Sequence, residues 1–240
     1  RTVNNDRFRI VPMSVDHDTT CEMLEKELKC DTKLYTMVSL HACGCLSDNM
    51  LRLFVQSEHA KILVNVGCCY NLIPDGAGFP LSSFDCQLNP YHKMAACQAP
   101  LRWKLDPEEA KLNELKNYYR AILQTILKPD KGSVFKTGKL KVTIDMSFSD
   151  YIHMAFTKLK LLEGDADLYA QVEEKFRHRR IELATFSCMK AFLGQVIESL
   201  IVYDRYLYLH DRLPFAESIS IVPLFSLLHS PRRFAIVAVK

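Results

Sequence analysis

No apolar run in these 240 residues is long enough to span a bilayer, and no secretory leader stands at the start, so neither a membrane partner nor export is expected. An excess of one charge is lacking too. The 31 lysines and arginines stand against 28 acids, and the net +3 neither demands nor forbids a nucleic-acid partner. There is no internal repeat and no low-complexity tract, which removes solenoids and disordered arms from consideration. The nine cysteines lack the even number and regular spacing of a disulfide framework and read as reduced thiols inside a cell. What is present is ordinary globular composition, 48% hydrophobic and 25% charged, at a length that suits one large domain or one domain with an insertion. A first residue of Arg1 in place of methionine predicts a segment of a longer protein.

Apolar periodicity divides the chain. Residues 7–15, RFRIVPMSV, start like a strand and end at Asp16 and Asp18. A helix is expected over Thr20 to Lys29, with Cys21, Leu24 and Leu28 on one face. LYTMVSL (34–40) and AKILVNV (60–66) are short apolar runs rich in β-branched residues, and Ser47 is expected to cap a helix between them. Strand, helix, strand, with both strands apolar on each face, predicts a parallel sheet covered by helices. At the far end, SISIVPLF (218–225) and RRFAIVAVK (232–240) are joined by a short link that suits an antiparallel pair. The proline-free stretch Ile181 to His210 precedes them as one long helix packed on the sheet. Residues 86–180 read as a helical insertion into a core of 1–85 and 181–240. In it, Asp106 and Pro107 open a helix running to about Leu127, residues 128–142 form a basic loop, and 147–162 and 167–180 are two further helices.

In open parallel sheets, ligands bind outside the carboxyl ends of the strands, where loops and helix N-termini meet. Two such ends here are rich in sulfur: HACG (41–44) and GCCY (67–70). As neighbours they would share one crevice, with Gly44 and Gly67 letting backbone approach a ligand closely. Beyond them the chain turns at Pro74–Asp75–Gly76, and Phe79–Leu81 can fold back as a lid or anchor.

The segments LHACG, VGCCYNLI, GFPLSS, VIESLIVYDRYLYL and VPLFSLLHSPRRFAIVA, spread from about Leu34 to the C-terminus, resemble the methyltransferase-like protein 25 family. That family includes a ribosomal RNA adenine dimethylase domain-containing relative. The resemblance implies an α/β, Rossmann-like class I methyltransferase fold that uses S-adenosylmethionine. Its sheet is parallel with an antiparallel C-terminal hairpin, and this chain would hold its C-terminal part, residues 7–15 forming the third strand, 34–40 the fourth and 60–66 the fifth. Cofactor contacts are implied at Leu40, Ala42, Cys43, Gly44, Gly67 and Cys68, and an acceptor side at Cys69, Phe79, Pro80 and Ser82. His41 would orient or deprotonate the acceptor, with Tyr70 beside it as the second catalytic group. Asp16 and Asp18 fall where an adenine-contacting acid often sits. The implied activity is methyl transfer to an acceptor left open among protein, RNA and small molecule, in the cytoplasm or nucleus.

Two departures bear on catalysis. Cys45 stands in HACGCL where the family carries an acid, which removes a possible acceptor or base. No GxGxG-like run occurs before Leu34, where the first strand and cofactor loop belong. Methyl transfer needs the sulfonium held in line with the acceptor, so the chain alone is expected to be inactive. The rival reading is a non-catalytic binding or scaffold protein that keeps the fold. His41, Cys43, Cys68 and Cys69, with Cys97 or His92 near, have the ligand types of a zinc site but not its hairpin spacing. Cysteines acting as small hydrophobes, with no metal, are the reading adopted. Tyr70 equally suits a cover for the sheet edge. Residues 128–141 and 175–180, with Trp103, Tyr118 and Tyr119, have the composition for single-stranded nucleic acid, a solvated face being the simpler account. Arg232 and Arg233 read as gatekeepers of a hairpin edge, and Glu198, Asp204 and Arg205 as a buried or boundary ion pair.

Overall fold

The two β-branched runs and the C-terminal pair meet in one sheet. The computed structural model, which describes residues 10–28, 34–127, 138, 140–161, 165–227 and 229–240, builds it from Tyr35–Ala42 (β1), Ala60–Gly67 (β2), Ser218–Pro223 (β3) and Phe234–Val239 (β4). Its order is β1–β2–β4–β3. β1 and β2 are parallel, with Val38 opposite Val64 and Ala42 opposite Gly67, while β4 runs antiparallel to both β2 and β3. This is the α/β pattern expected, parallel first and closed by an antiparallel hairpin. Residues 10–15 of the expected earlier strand join no ladder, and residues 7–9 lie outside the described residues.

Contacts divide the chain into two compact units, Arg1–Ala99 with Ala191–Lys240, and Pro100–Lys190. The insertion read at 86–180 overlaps the second unit without sharing its ends.

The first unit also contains helices α1 (Cys21–Leu28), α2 (Leu46–Gln56), which packs on β1 and β2, and α3 (Pro90–Ala96). Leu51, Leu53 and Phe54 of α2 are fully buried against Met37, Leu63, Ile236 and Ala238, and such side chains contribute about 1.5–3 kcal/mol each. The N-cap of α2 is Cys45, not Ser47. The helix starts early enough to aim the Ser47 hydroxyl inward, where it donates to Asn65 Oδ1 at 2.6 Å. Helix α3 was not foreseen. Its signal is the Asn89–Pro90 start, where Asn89 caps and His92 completes a capping box.

The outer face of the sheet is bare at β1, although the same face is buried further along at Val66 and Ala235. Leu34, Val38 and Leu40 turn outward at 61, 65 and 57% exposure, beside Ile62. An apolar run reads the same whether or not anything lies over it.

The second unit contains α4 (Pro100–Leu105), α5 (Pro107–Leu127), α6 (Phe148–Leu159) and α7 (Ala166–Arg177). Asp106 caps α5 as expected, its carboxylate accepting from the Glu109 amide at 2.9 Å. The core is aromatic: Tyr119 lies 5.3 Å from Phe148 and 5.4 Å from Tyr151, centroid to centroid. Tyr118 and Tyr119 are therefore buried and not free to stack on bases, their hydroxyls donating to the Glu173 and Met146 carbonyls. Arg177, Arg179 and Arg180 pair with Glu174, Glu182 and Glu114. Most of the basic loop, residues 128–137 and 139, lies outside the described residues.

The long helix is α8 (Arg180–Arg212). By length and composition alone it is apolar enough to cross a membrane, which corrects the reading that no such run exists. It also buries Glu198, Asp204 and Arg205, each with protein partners, as a core helix does.

Candidate functional site

Parallel pairing of β1 with β2 brings the two sulfur-bearing ends together. Ala42 sits opposite Gly67, and the Gly44 amide donates to the Cys69 carbonyl at 3.3 Å. Cys43 Sγ then lies 3.1 Å from Cys68 Sγ and 3.4 Å from Cys69 Sγ, with 3.5 Å between the latter two. Burial, then hydrogen bonds to Cys43 and Cys69, push the Cys68 thiol well up. The hydrogen bond to Cys43 raises that of Cys69. Cys45 stands apart from this cluster, beside Asp48, and burial raises it.

The irregular register between Ser39 and Ala42 re-aims His41. Its φ of +60° is in the left-handed region, which a residue with a Cβ seldom occupies, and its side chain is exposed. Leu40 next to it is exposed as well, while Ala42 is buried.

The two glycines meet protein, not an open cradle. A Cβ on Gly44, whose φ is +55°, would stand 2.8 Å from the Leu72 carbonyl oxygen, and one on Gly67 would collide with the Arg205 guanidinium. Close approach is needed at both positions, as expected, but by neighbouring protein groups.

The segment Phe79–Ser82 is pinned, not a free lid. Asp204 of α8 accepts from the Leu81 amide at 2.8 Å, the Ser82 amide at 3.0 Å and the Ser82 hydroxyl at 2.6 Å. Phe79 is buried against Tyr70, Ile73 and Ile201, whereas Pro80 is exposed. Upstream, the buried Lys93 ammonium holds the turn by donating to Asp75 at 2.6 Å and to the Ile73 and Pro74 carbonyls.

Tyr70 is 3% exposed, its ring between the Arg205 and Arg232 guanidiniums, and its hydroxyl donates to Glu198. Burial holds that phenol far above its ordinary range. This placement corrects the acceptor-facing role expected of Tyr70: it is a structural anchor. The charges pair differently from the expectation too. Arg205 donates to Asp48 at 2.8 Å, and Arg232 reaches Glu198 at 2.5 Å and the Ala96, Cys97 and Gln98 carbonyls. Arg232 is thus a buried tie and no gatekeeper. Burial raises both Asp48 and Glu198, against the lowering by their guanidinium partners. No local pattern signals these pairs, because the partners stand far apart in sequence.

Toward S-adenosylmethionine these residues fit one wall only. Backbone and thiols at two strand ends and the exposed Leu40 and His41 can border a ligand. Asp16 is engaged by the Asp18 amide and Thr19 hydroxyl, in the turn before α1.

A family model described as "Methyltransferase domain" matches residues 4–75. Two curated relatives named "Probable methyltransferase-like protein 25" match as well. That of Mus musculus is 32% identical over 232 residues, covering 85% of this chain and 37% of its own length. That of Homo sapiens is 33% identical over 230 residues, covering 85% of this chain and 36% of its own. The chain therefore spans little more than a third of these relatives. No solved structure matches it. With a methyltransferase-domain match over the sulfur-rich strand ends and a third of its residues shared along most of its length, the chain is similar to the methyltransferase-like protein 25 relatives.

Proposed function

We propose that this chain forms part of the catalytic domain of an S-adenosylmethionine-dependent methyltransferase. The observation that carries the reading is the parallel abutment of Leu40–Gly44 and Gly67–Cys69, set at the sheet edge where such folds take ligands. When bound, the cofactor supplies an electrophilic methyl group on its sulfonium. The backbone of Leu40, Ala42, Cys43 and Gly44 borders the donor from β1, and that of Gly67 and Cys68 from β2. His41, exposed and fixed by its bulge, orients the acceptor and takes its proton on a ring nitrogen. Cys69 and the Asp204-pinned Phe79–Ser82 segment limit water on the acceptor side. The acceptor belongs to the protein, RNA or small-molecule class. Free thiols suit a reducing compartment, so we place the protein in the cytoplasm or nucleus.

Calorimetric titration of the full-length protein with S-adenosylmethionine tests the proposal. Saturable binding is expected, with transfer of labelled methyl to material from a cell extract. His41→Ala should lower transfer about 100-fold while leaving cofactor affinity within a few-fold. Absence of binding would instead assign the fold to a non-catalytic scaffold.

A further inference from the structure

We infer that Cys43, Cys68 and Cys69 form a three-thiolate site for a thiophilic divalent cation, zinc, with a fourth coordination position open to water or a small ligand. The three sulfurs come from two separate loops, yet all lie within 4.8 Å of one another, at separations of 3.1, 3.4 and 3.5 Å. A tetrahedral zinc ion with bonds of about 2.3 Å sets its sulfurs roughly 3.8 Å apart. Small side-chain rotations supply that opening.

Backbone fixes the points of attachment. The Ala42–Gly67 register aligns the loops, the Gly44 amide ties to the Cys69 carbonyl, and the Tyr70 and Leu72 amides donate to the Cys68 and Cys69 carbonyls at 3.2 and 3.0 Å. Cys68 is buried while Cys43 and Cys69 are half-buried, so an ion has both a dry floor and a way in. Packing as small hydrophobes accounts for a buried cysteine singly, but it does not require three sulfurs to converge on one point. Binding exchanges the thiol protons for the dication, the protons passing to solvent. The histidines of suitable ligand type do not join the site: His41 turns to solvent, and His92 is occupied in capping α3. Three protein ligands with one open position is the arrangement of reactive zinc sites, in contrast to the closed four-ligand structural ones. The inference stands apart from the methyl-transfer reading, because it uses the thiol side chains and can be read without any cofactor.

The reduced, chelator-treated chain is titrated with cobalt(II), then with zinc(II). One equivalent of cobalt should give sulfur-to-metal charge-transfer absorption and the intense visible bands of a four-coordinate ion, and one equivalent of zinc should abolish them. Cys43→Ser and Cys68→Ser should lose the bands, and Cys188→Ser, at an exposed thiol, should keep them. An alkylation footprint of the unmodified chain needs no variant to fold: zinc should protect Cys43, Cys68 and Cys69 while Cys188 reacts at an unchanged rate. The inference is overturned if cobalt gives only the pale six-coordinate spectrum, if zinc protects none of the three, or if Cys43 and Cys68 are recovered as a disulfide from the reduced protein.

Discussion

Replacing Asp204 by alanine removes a carboxylate that holds the segment after the Pro74–Gly76 turn. Asp204 is 1% exposed and accepts three hydrogen bonds, two from backbone amides. An orphaned buried donor costs about 1–3 kcal/mol, so two amides and the Ser82 hydroxyl together predict a loss of about 3–5 kcal/mol. With a urea slope near 3 kcal/mol/M, that lowers the unfolding midpoint by about 1 M or more. Asp204→Asn keeps one acceptor oxygen and should lose roughly half as much. Hydrogen exchange localises the effect: protection at Leu81 and Ser82 should collapse while β2 and β4 amides keep theirs. A midpoint shift below about 0.3 M with both amides still protected would refute the pinning.

Gly44→Ala should cost about 2–4 kcal/mol, combining a left-handed backbone with a clash against the fixed Leu72 carbonyl. Gly76→Ala, also left-handed but with open space around it, should cost only about 1 kcal/mol, and equal thermal-melt shifts for the two would count against the packing described. The raised carboxyl of Glu198 gives a pH test. A group whose folded value lies above its unfolded 4.5 keeps its proton longer in the folded state, so its contribution to stability falls as pH rises through the window just above 4.5. The stability advantage of the native chain over Glu198→Gln should therefore be largest at low pH and shrink upward, and urea midpoints showing the reverse trend would mean that the Arg232 partner outweighs burial.

Strands were legible because their β-branched runs have no competing local preference, and the last two because a short link permits only an antiparallel return. Helix α5 announced itself through Asp106 and Pro107. The meeting of HACG with GCCY was legible for the same reason: neighbouring parallel strands must end on the same side. What chemistry fills that end was not. Ser47 reads as a cap by residue type, and only the position of Asn65 on β2 explains why its hydroxyl turns inward. Arg232 beside a hairpin reads as surface, and only the carbonyls at the end of α3 show it to be buried. Tyr70 looked available for a substrate because nothing near it in sequence reveals Glu198, 128 positions away.

The outward side chains of β1 also have a consequence for handling the protein. Val38 and Leu40, with Leu34 just before them, sit on or beside a border strand whose outer hydrogen-bonding groups pair with no described strand. An oily ribbon with unspent amides recruits other polypeptides edge to edge, so crowded samples of this chain should self-associate along that margin before any loss of its native interior.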